Sequence, residues 1–109
     1  MSTDIIGRLR TRLTIEAPVE TPDGAGGLAR TWKTTGTIWA AVEPVAGGFG
    51  LASDRAGQTI THRVLMRWRD DLSASHRLRD GTLLHQIRSV HTHDMEKRFL
   101  VALTEESPA

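Results

Sequence analysis

From Thr59 to Trp68 the chain reads T-I-T-H-R-V-L-M-R-W, with Ile60, His62, Val64, Met66 and Trp68 in one row and Arg63, Leu65 and Arg67 in the other. Period-two alternation rich in branched and aromatic side chains marks a half-buried strand. The pattern recurs along the chain. In Arg8–Glu16, Leu9, Thr11, Leu13 and Ile15 share a face, and Arg8, Arg10, Arg12 and Glu16 share the other. Leu28, Arg30 and Trp32 align before Gly36; Ile38, Ala40 and Val42 then oppose Trp39, Ala41 and Glu43. Thr82–His91 and Arg98–Glu105 complete the set. About six short strands with little helix predict an all-β fold, a small β-barrel or sandwich.

Turn chemistry sets the expected boundaries. Ala17-Pro18 is expected to end the first strand, and Thr21–Gly27 (T-P-D-G-A-G-G) to form a loop or wide hairpin. Pro44 removes a ladder donor. Asp70–Ser75 reads as a polar connector with room for one helical turn. Asp80-Gly81 predicts a tight hairpin with both residues at its centre. His93–Glu96 turns the chain again, and Glu106–Ala109 is expected to fray. There is no internal repeat, and the 109 residues are expected to form a single domain.

One segment breaks the pattern. Ala46 to Gln58 (AGGFGLASDRAGQ) has no apolar period and contains Gly47, Gly48, Gly50 and Gly57. So long a connection in so small a domain is usually functional or a linker. Neither flank is long enough to bury a core alone, so the expected form is one long projecting loop.

Composition narrows the function classes. Hydrophobic residues make up 39% and charged residues 25%, with a net charge of +1, as in a soluble globular domain without bulk electrostatic capture of nucleic acid. No apolar run could span a bilayer and no signal peptide is visible at Met1–Asp4, so no membrane partner is expected and the cytoplasm of the producing cell is the default. With no cysteine, disulfides and thiolate chemistry are excluded. His91-x-His93 would put two imidazoles on one side of a strand, with Asp94 adjacent and His85 on the same hairpin. Spacing supplies no third convergent ligand, so no metal is assigned there. His62, in an apolar row, reads as a hydrogen-bonded core or interface histidine. No Gly-x-Ser-x-Gly elbow, paired catalytic carboxylates or phosphate cradle is present, so neither enzyme activity nor a cofactor is expected.

The aromatic and basic residues point to contacts. Trp32 and Trp68 align with apolar neighbours and read as core. Trp39 either fills a second core layer or anchors a protein contact. Arg8, Arg10, Arg12, Arg63 and Arg67 crowd the outward faces, as on a solvated sheet, a subunit boundary or a DNA-facing surface.

In order, Gly7-x-Leu9-Arg10-x-Arg12-Leu13-x-Ile15, Asp23-Gly24-x-Gly26-Gly27, Ile38-Trp39-Ala40-Ala41-Val42-Glu43-Pro44, His62-Arg63-Val64, Arg77-Leu78-x-Asp80-Gly81 and Ile87-x-Ser89-Val90 resemble the head-tail joining proteins of long-tailed phages and gene transfer agents, the head-completion or stopper family. The block at Ile38–Pro44 is the most diagnostic. Leu84-His85 stands where the family usually has an aromatic, and its frequent late cysteine is absent. The resemblance implies a virion protein assembled as a ring, usually of six, between the portal-adaptor complex and the tail-terminator or tail tube. It also implies that the Ala46–Gln58 loop points toward the channel carrying double-stranded DNA. Gly47, Gly48, Gly50 and Gly57 would make that loop pliable, Phe49 and Leu51 would pack against neighbouring copies, and Arg55 would meet phosphate. Two rivals remain: another neck ring such as a tail terminator, and a small nucleic-acid-binding β-barrel with exposed aromatics among basic residues.

Overall fold

The computed structural model describes residues 6–45 and 59–109. The channel-loop residues Gly47, Gly48, Phe49, Gly50, Leu51, Arg55 and Gly57 therefore lie outside the described residues. Six strands form: β1 (Thr11–Pro22), β2 (Leu28–Pro44), β3 (His62–Arg67), β4 (Arg77–Asp80), β5 (Leu83–Thr92) and β6 (Phe99–Pro108). They close into an antiparallel barrel in the order β1-β2-β3-β6-β5-β4. Closure satisfies both edges of every strand within the barrel wall.

The alternating rows read in β1, β2 and β3 point into the lumen, where β4, β5 and β6 add residues of their own. Leu13 and Ile15 from β1, Ile38 and Ala40 from β2, Val64 and Met66 from β3, Leu78 from β4, Ile87 from β5, and Leu100 and Ala102 from β6 form one buried cluster. A second apolar layer lies on the outer wall, where Ala41, Leu65, Phe99 and Val101 are buried and Leu9 packs over them. A single helical turn at 6–8 thus precedes β1, and Leu9 after it packs on this side of the barrel.

Two bulges shift the side-chain alternation. Ile15 faces Gly36 but Glu16 faces Thr34, leaving Thr35 as the extra residue in β2. Ile87 faces Thr104 but Ser89 faces Leu103, leaving Arg88 extra in β5. Each adds local twist and re-aims the side chains beyond it. In β5 the offset lets Val90, three residues after Ile87, still pack on the core.

Several boundaries differ from expectation. β1 does not stop at Pro18 but continues to Pro22. Its β4 neighbour pairs only with Thr14 to Glu16, so Pro18 sits where β1 has a free edge and needs no second donor. β2 runs unbroken through Gly36, because the bulge at Thr35 absorbs the irregularity. The hairpin after β4 turns on Gly81-Thr82, one residue later than expected, with Asp80 paired to Leu83. Only Gly81 takes a positive φ, 59°, so the turn needs a glycine at its first central position and no second left-handed residue. No helix forms across Asp70–Ser75; Arg69 instead clamps Asp71 with two bonds of 2.7 and 2.8 Å. The C-terminal segment does not fray. β6 pairs with β5 out to Pro108, and Ala109 N donates to Thr82 O at 2.8 Å.

Candidate assembly surface

Among the described residues, the β1–β2 hairpin protrudes from the barrel. Beyond Ala17 and Lys33 the two strands pair only with each other, out to Pro22 opposite Leu28. Every residue from Glu20 to Thr31 is exposed. Its tip is built by Asp23, whose Oδ1 accepts from Ala25 N at 2.8 Å and Gly27 N at 3.0 Å, while Gly24 and Gly26 take positive φ. Those backbone donors hold the Asp23 carboxyl below its ordinary pKa. A two-stranded ribbon has little stability alone, and its unpaired edges are templates for another chain. Glu20 and Arg30 pair across it at 3.3 Å.

The ribbon is anchored at its base by an ion cluster on the outer wall. The bulge at Thr35 places Glu16, 8% exposed, beside β4. Arg77 Nε donates to Glu16 Oε1 at 2.6 Å and Arg79 Nε to Oε2 at 3.0 Å. The Arg77 guanidinium lies 3.9 Å from the centre of the Trp32 ring. Burial pushes the Glu16 pKa up, but the hydrogen bonds from Arg79 and Arg77 and their charge outweigh it and hold it below the ordinary value. Trp32 is thus no lumen residue. It is a half-buried lid over an arginine, because it lies on the ribbon beyond the bulge.

On another side, a cavity of about 250 Å³ opens between Leu9, Trp39, Trp68 and Arg67. Trp39 is 53% exposed and borders the second apolar layer instead of filling it. Trp68, expected in the core, is 36% exposed, since β3 ends at Arg67 and carries it past the rim. A cation sits over each ring: Arg12 is 5.3 Å from the Trp39 centroid, and Lys97 Nζ is 5.9 Å from that of Trp68.

The outward arginines differ in how they are held. Arg8 pairs with Glu43, Arg10 Nε donates to Gly7 O at 2.8 Å, and Arg12 bonds Thr37 Oγ1 at 3.2 Å. Arg63 and Arg67 are exposed on β3 and have no ion-pair partner among the described residues.

His91 and His93 do not converge on a third ligand. His91 Nε2 contacts Ser89 Oγ at 3.0 Å, and His93 meets the Phe99 ring edge-on. Register gathers a different set at one end of the lumen: β5 brings His85 opposite Glu106 of β6, and β3 brings His62 opposite Thr104. His62 Nδ1 lies 2.9 Å from Thr61 Oγ1, as a hydrogen-bonded histidine requires. Burial, and then the neighbouring His62, push the His85 pKa down, against the opposing pull of Glu106 and Asp80. No spacing rule could reveal this trio, because its members stand on three strands.

A family model described as phage head completion protein matches residues 5–107. The chain belongs to that family. Among solved structures it is similar to a chain of the virion of a native gene transfer agent particle, with 27% identity, 94% of this chain and 96% of that chain covered, and a TM-score of 0.70. It is also similar to protein SF1141 from Shigella flexneri 2a, known from a solution structure, with 30% identity, the same coverages and a TM-score of 0.73. No curated protein matches. The resemblance drawn from the motifs therefore holds over nearly the whole chain, and the family is a structural one of phages. Among the described residues no helix is long and apolar enough to cross a membrane.

Proposed function

We propose that the chain is a structural head-completion, or stopper, subunit at the neck of a phage-like particle. Identical copies form a ring, a hexamer in this reading, with the portal-adaptor complex on one side and the tail terminator or tail tube on the other. Double-stranded DNA passes through it. Family membership and the likeness to a gene transfer agent virion chain support the class of particle. The observation that carries the mechanical role is the β1–β2 ribbon, which leaves a closed barrel and offers open ladder edges. A second copy or a neighbouring neck protein would complete those edges by strand addition. The aromatic cavity at Trp39 and Trp68 and the arginines at 8, 10, 12, 63 and 67 belong, in this reading, to subunit or DNA-facing surfaces. Residues 46–58 are assigned to the channel because the family resemblance implies it, and their glycine content suits a pliable arm.

The test is to replace Glu20–Arg30 with a two-residue Asn-Gly turn, which keeps Val19 opposite Thr31, and to supply the variant to particles lacking the native protein. The expected result is a folded barrel that accumulates filled heads without tails. Normal yields of tailed particles would remove the ribbon from assembly.

The nucleic-acid-barrel reading expects open aromatic platforms. Trp39 and Trp68 are exposed, but one face of each ring already carries a cation, which leaves less room for stacked bases. Salt-sensitive binding of single strands by the isolated subunit would favour that rival.

A further inference from the structure

At the end of the lumen where β2 leaves at Pro44 and β3 enters at His62, three potential ligands meet. His62, His85 and Glu106 each present one donor atom within 4.8 Å of the other two. His62 Nε2 is already 3.6 Å from Glu106 Oε2. His85 is 1% exposed, and its Nδ1 is buried without a hydrogen-bond partner. A buried imidazole nitrogen without a partner is costly, and native folds seldom keep one without a use. We propose that His62, His85 and Glu106 form a binding site for a divalent transition cation, with zinc as the best match.

The donor set decides the class of ion. Two imidazoles and one carboxylate suit zinc, whereas magnesium and calcium prefer shells made only of oxygen. In a tetrahedral site with bonds of about 2.0–2.1 Å, neighbouring ligand atoms stand about 3.4 Å apart. The His62–Glu106 separation nearly meets that spacing. No pair of the three donor atoms stands more than 4.8 Å apart, so the widest separation closes by at most about 1.4 Å on binding.

An outer shell stands ready. Thr61 Oγ1 accepts from Glu106 N at 2.7 Å, lies 2.9 Å from His62 Nδ1 and 3.4 Å from Thr104 O. If His62 carries its proton on Nδ1 and donates it to Thr61, the hydroxyl turns its own proton to the Thr104 carbonyl. Both lone pairs of Thr61 are then used, and the His62 Nε2 lone pair is left for the ion. Such an outer partner fixes the tautomer and the ring of a ligating histidine. With three protein ligands, the fourth position goes to water. The ion would tie together the ends of β3, β5 and β6, strands whose ligands are far apart in the chain.

The experiment uses the full chain, freed of metal by chelator dialysis, and titrates zinc chloride by calorimetry. One zinc per chain with a micromolar or tighter Kd, and a melting temperature raised by several degrees, is the expected result. Cobalt(II) should give the intense visible bands of tetrahedral coordination. Because replacing buried His85 could unfold the barrel, the informative variants are Glu106→Gln and His62→Gln. Each should weaken zinc by about 100-fold or more, since loss of an outer partner alone costs 10–100-fold. Their metal-free melting temperatures should stay near that of the native chain. A His91→Gln/His93→Gln variant should bind zinc normally. Absence of stoichiometric zinc, or binding that survives Glu106→Gln and disappears with His91 and His93, would overturn the proposal.

Discussion

Glu16 is the residue whose removal the structure weighs most sharply. It sits at 8% exposure with Arg77 Nε at 2.6 Å and Arg79 Nε at 3.0 Å. Substituting Glu16→Gln keeps the shape and one acceptor but leaves two guanidinium groups facing each other without a counter-charge. Breaking a buried pair from one side costs about 3–5 kcal/mol. Arg79 is about one-third exposed and Arg77 keeps its stack on Trp32, so water and the ring recover part of that cost. The expected loss is therefore about 2–4 kcal/mol, below the full penalty but above that of a surface pair. Urea unfolding followed by tryptophan fluorescence would read it. With an m-value of about 2 kcal/mol/M, the midpoint should fall by about 1–2 M without a change of slope. The direction with pH comes from the depressed Glu16 pKa. The folded carboxyl holds its proton less tightly than the unfolded one, so its stabilisation is complete above the ordinary value of 4.5 and fades as acid protonates the folded group. The difference between native and variant should therefore shrink on acidification. A loss below about 1 kcal/mol at neutral pH would show that the cluster is a solvated surface pair and that the bulge does not bury it.

Gly81→Ala should lower stability by about 1–2 kcal/mol, because its φ of 59° is left-handed while a Cβ there meets nothing within 4 Å; Gly81→Asn should cost less, and equal costs in chemical denaturation would argue against a backbone cause. Trp39→Ala, at a half-exposed ring, should leave the melting temperature nearly unchanged but impair ring formation in native mass spectrometry, and undiminished rings would free this surface of an assembly role. Deleting Gly47–Gly57 should leave the barrel folded by circular dichroism while particles lose packaged DNA on storage, and unaltered retention would count against a channel role for that segment.

Much of the barrel was readable because closed antiparallel walls impose a strict two-residue period on the core. Leu13, Ile15, Ile38, Ala40, Val64 and Met66 all fall inside as their rows predict. The failures cluster where geometry departs from that period. Nothing local marks Thr35 and Arg88 as extra residues, yet each re-aims the side chains of its strand beyond that point. Pro18 reads as a stop only if the strand needs both of its edges, and pairing with β4 ends two residues before it. Trp32 and Trp68 share rows with apolar residues but lie beyond the wall, on the ribbon and past the rim, where the row no longer points into a lumen. The basic faces were legible as exposed, but that Arg8, Arg10 and Arg12 find partners while Arg63 and Arg67 have no ion pair among the described residues required three-dimensional neighbours. The ribbon reads in the sequence only as a loop or wide hairpin, since its free edges depend on β4 pairing with β1 only at Thr14–Glu16 and β3 with β2 only at Ala40–Pro44.

The place of β6 in the strand order has a bearing on the birth of the protein. This last strand is not appended at a margin; it fills the gap between β3 and β5. While a ribosome is still making residues 99–108, the earlier strands can form hairpins, but two ladders face each other across a missing stave. Until β6 docks, the facing edges of β3 and β5 stay adhesive, and loss of Ser107 and Pro108 would leave Leu84 and Leu83 of β5 without their partners.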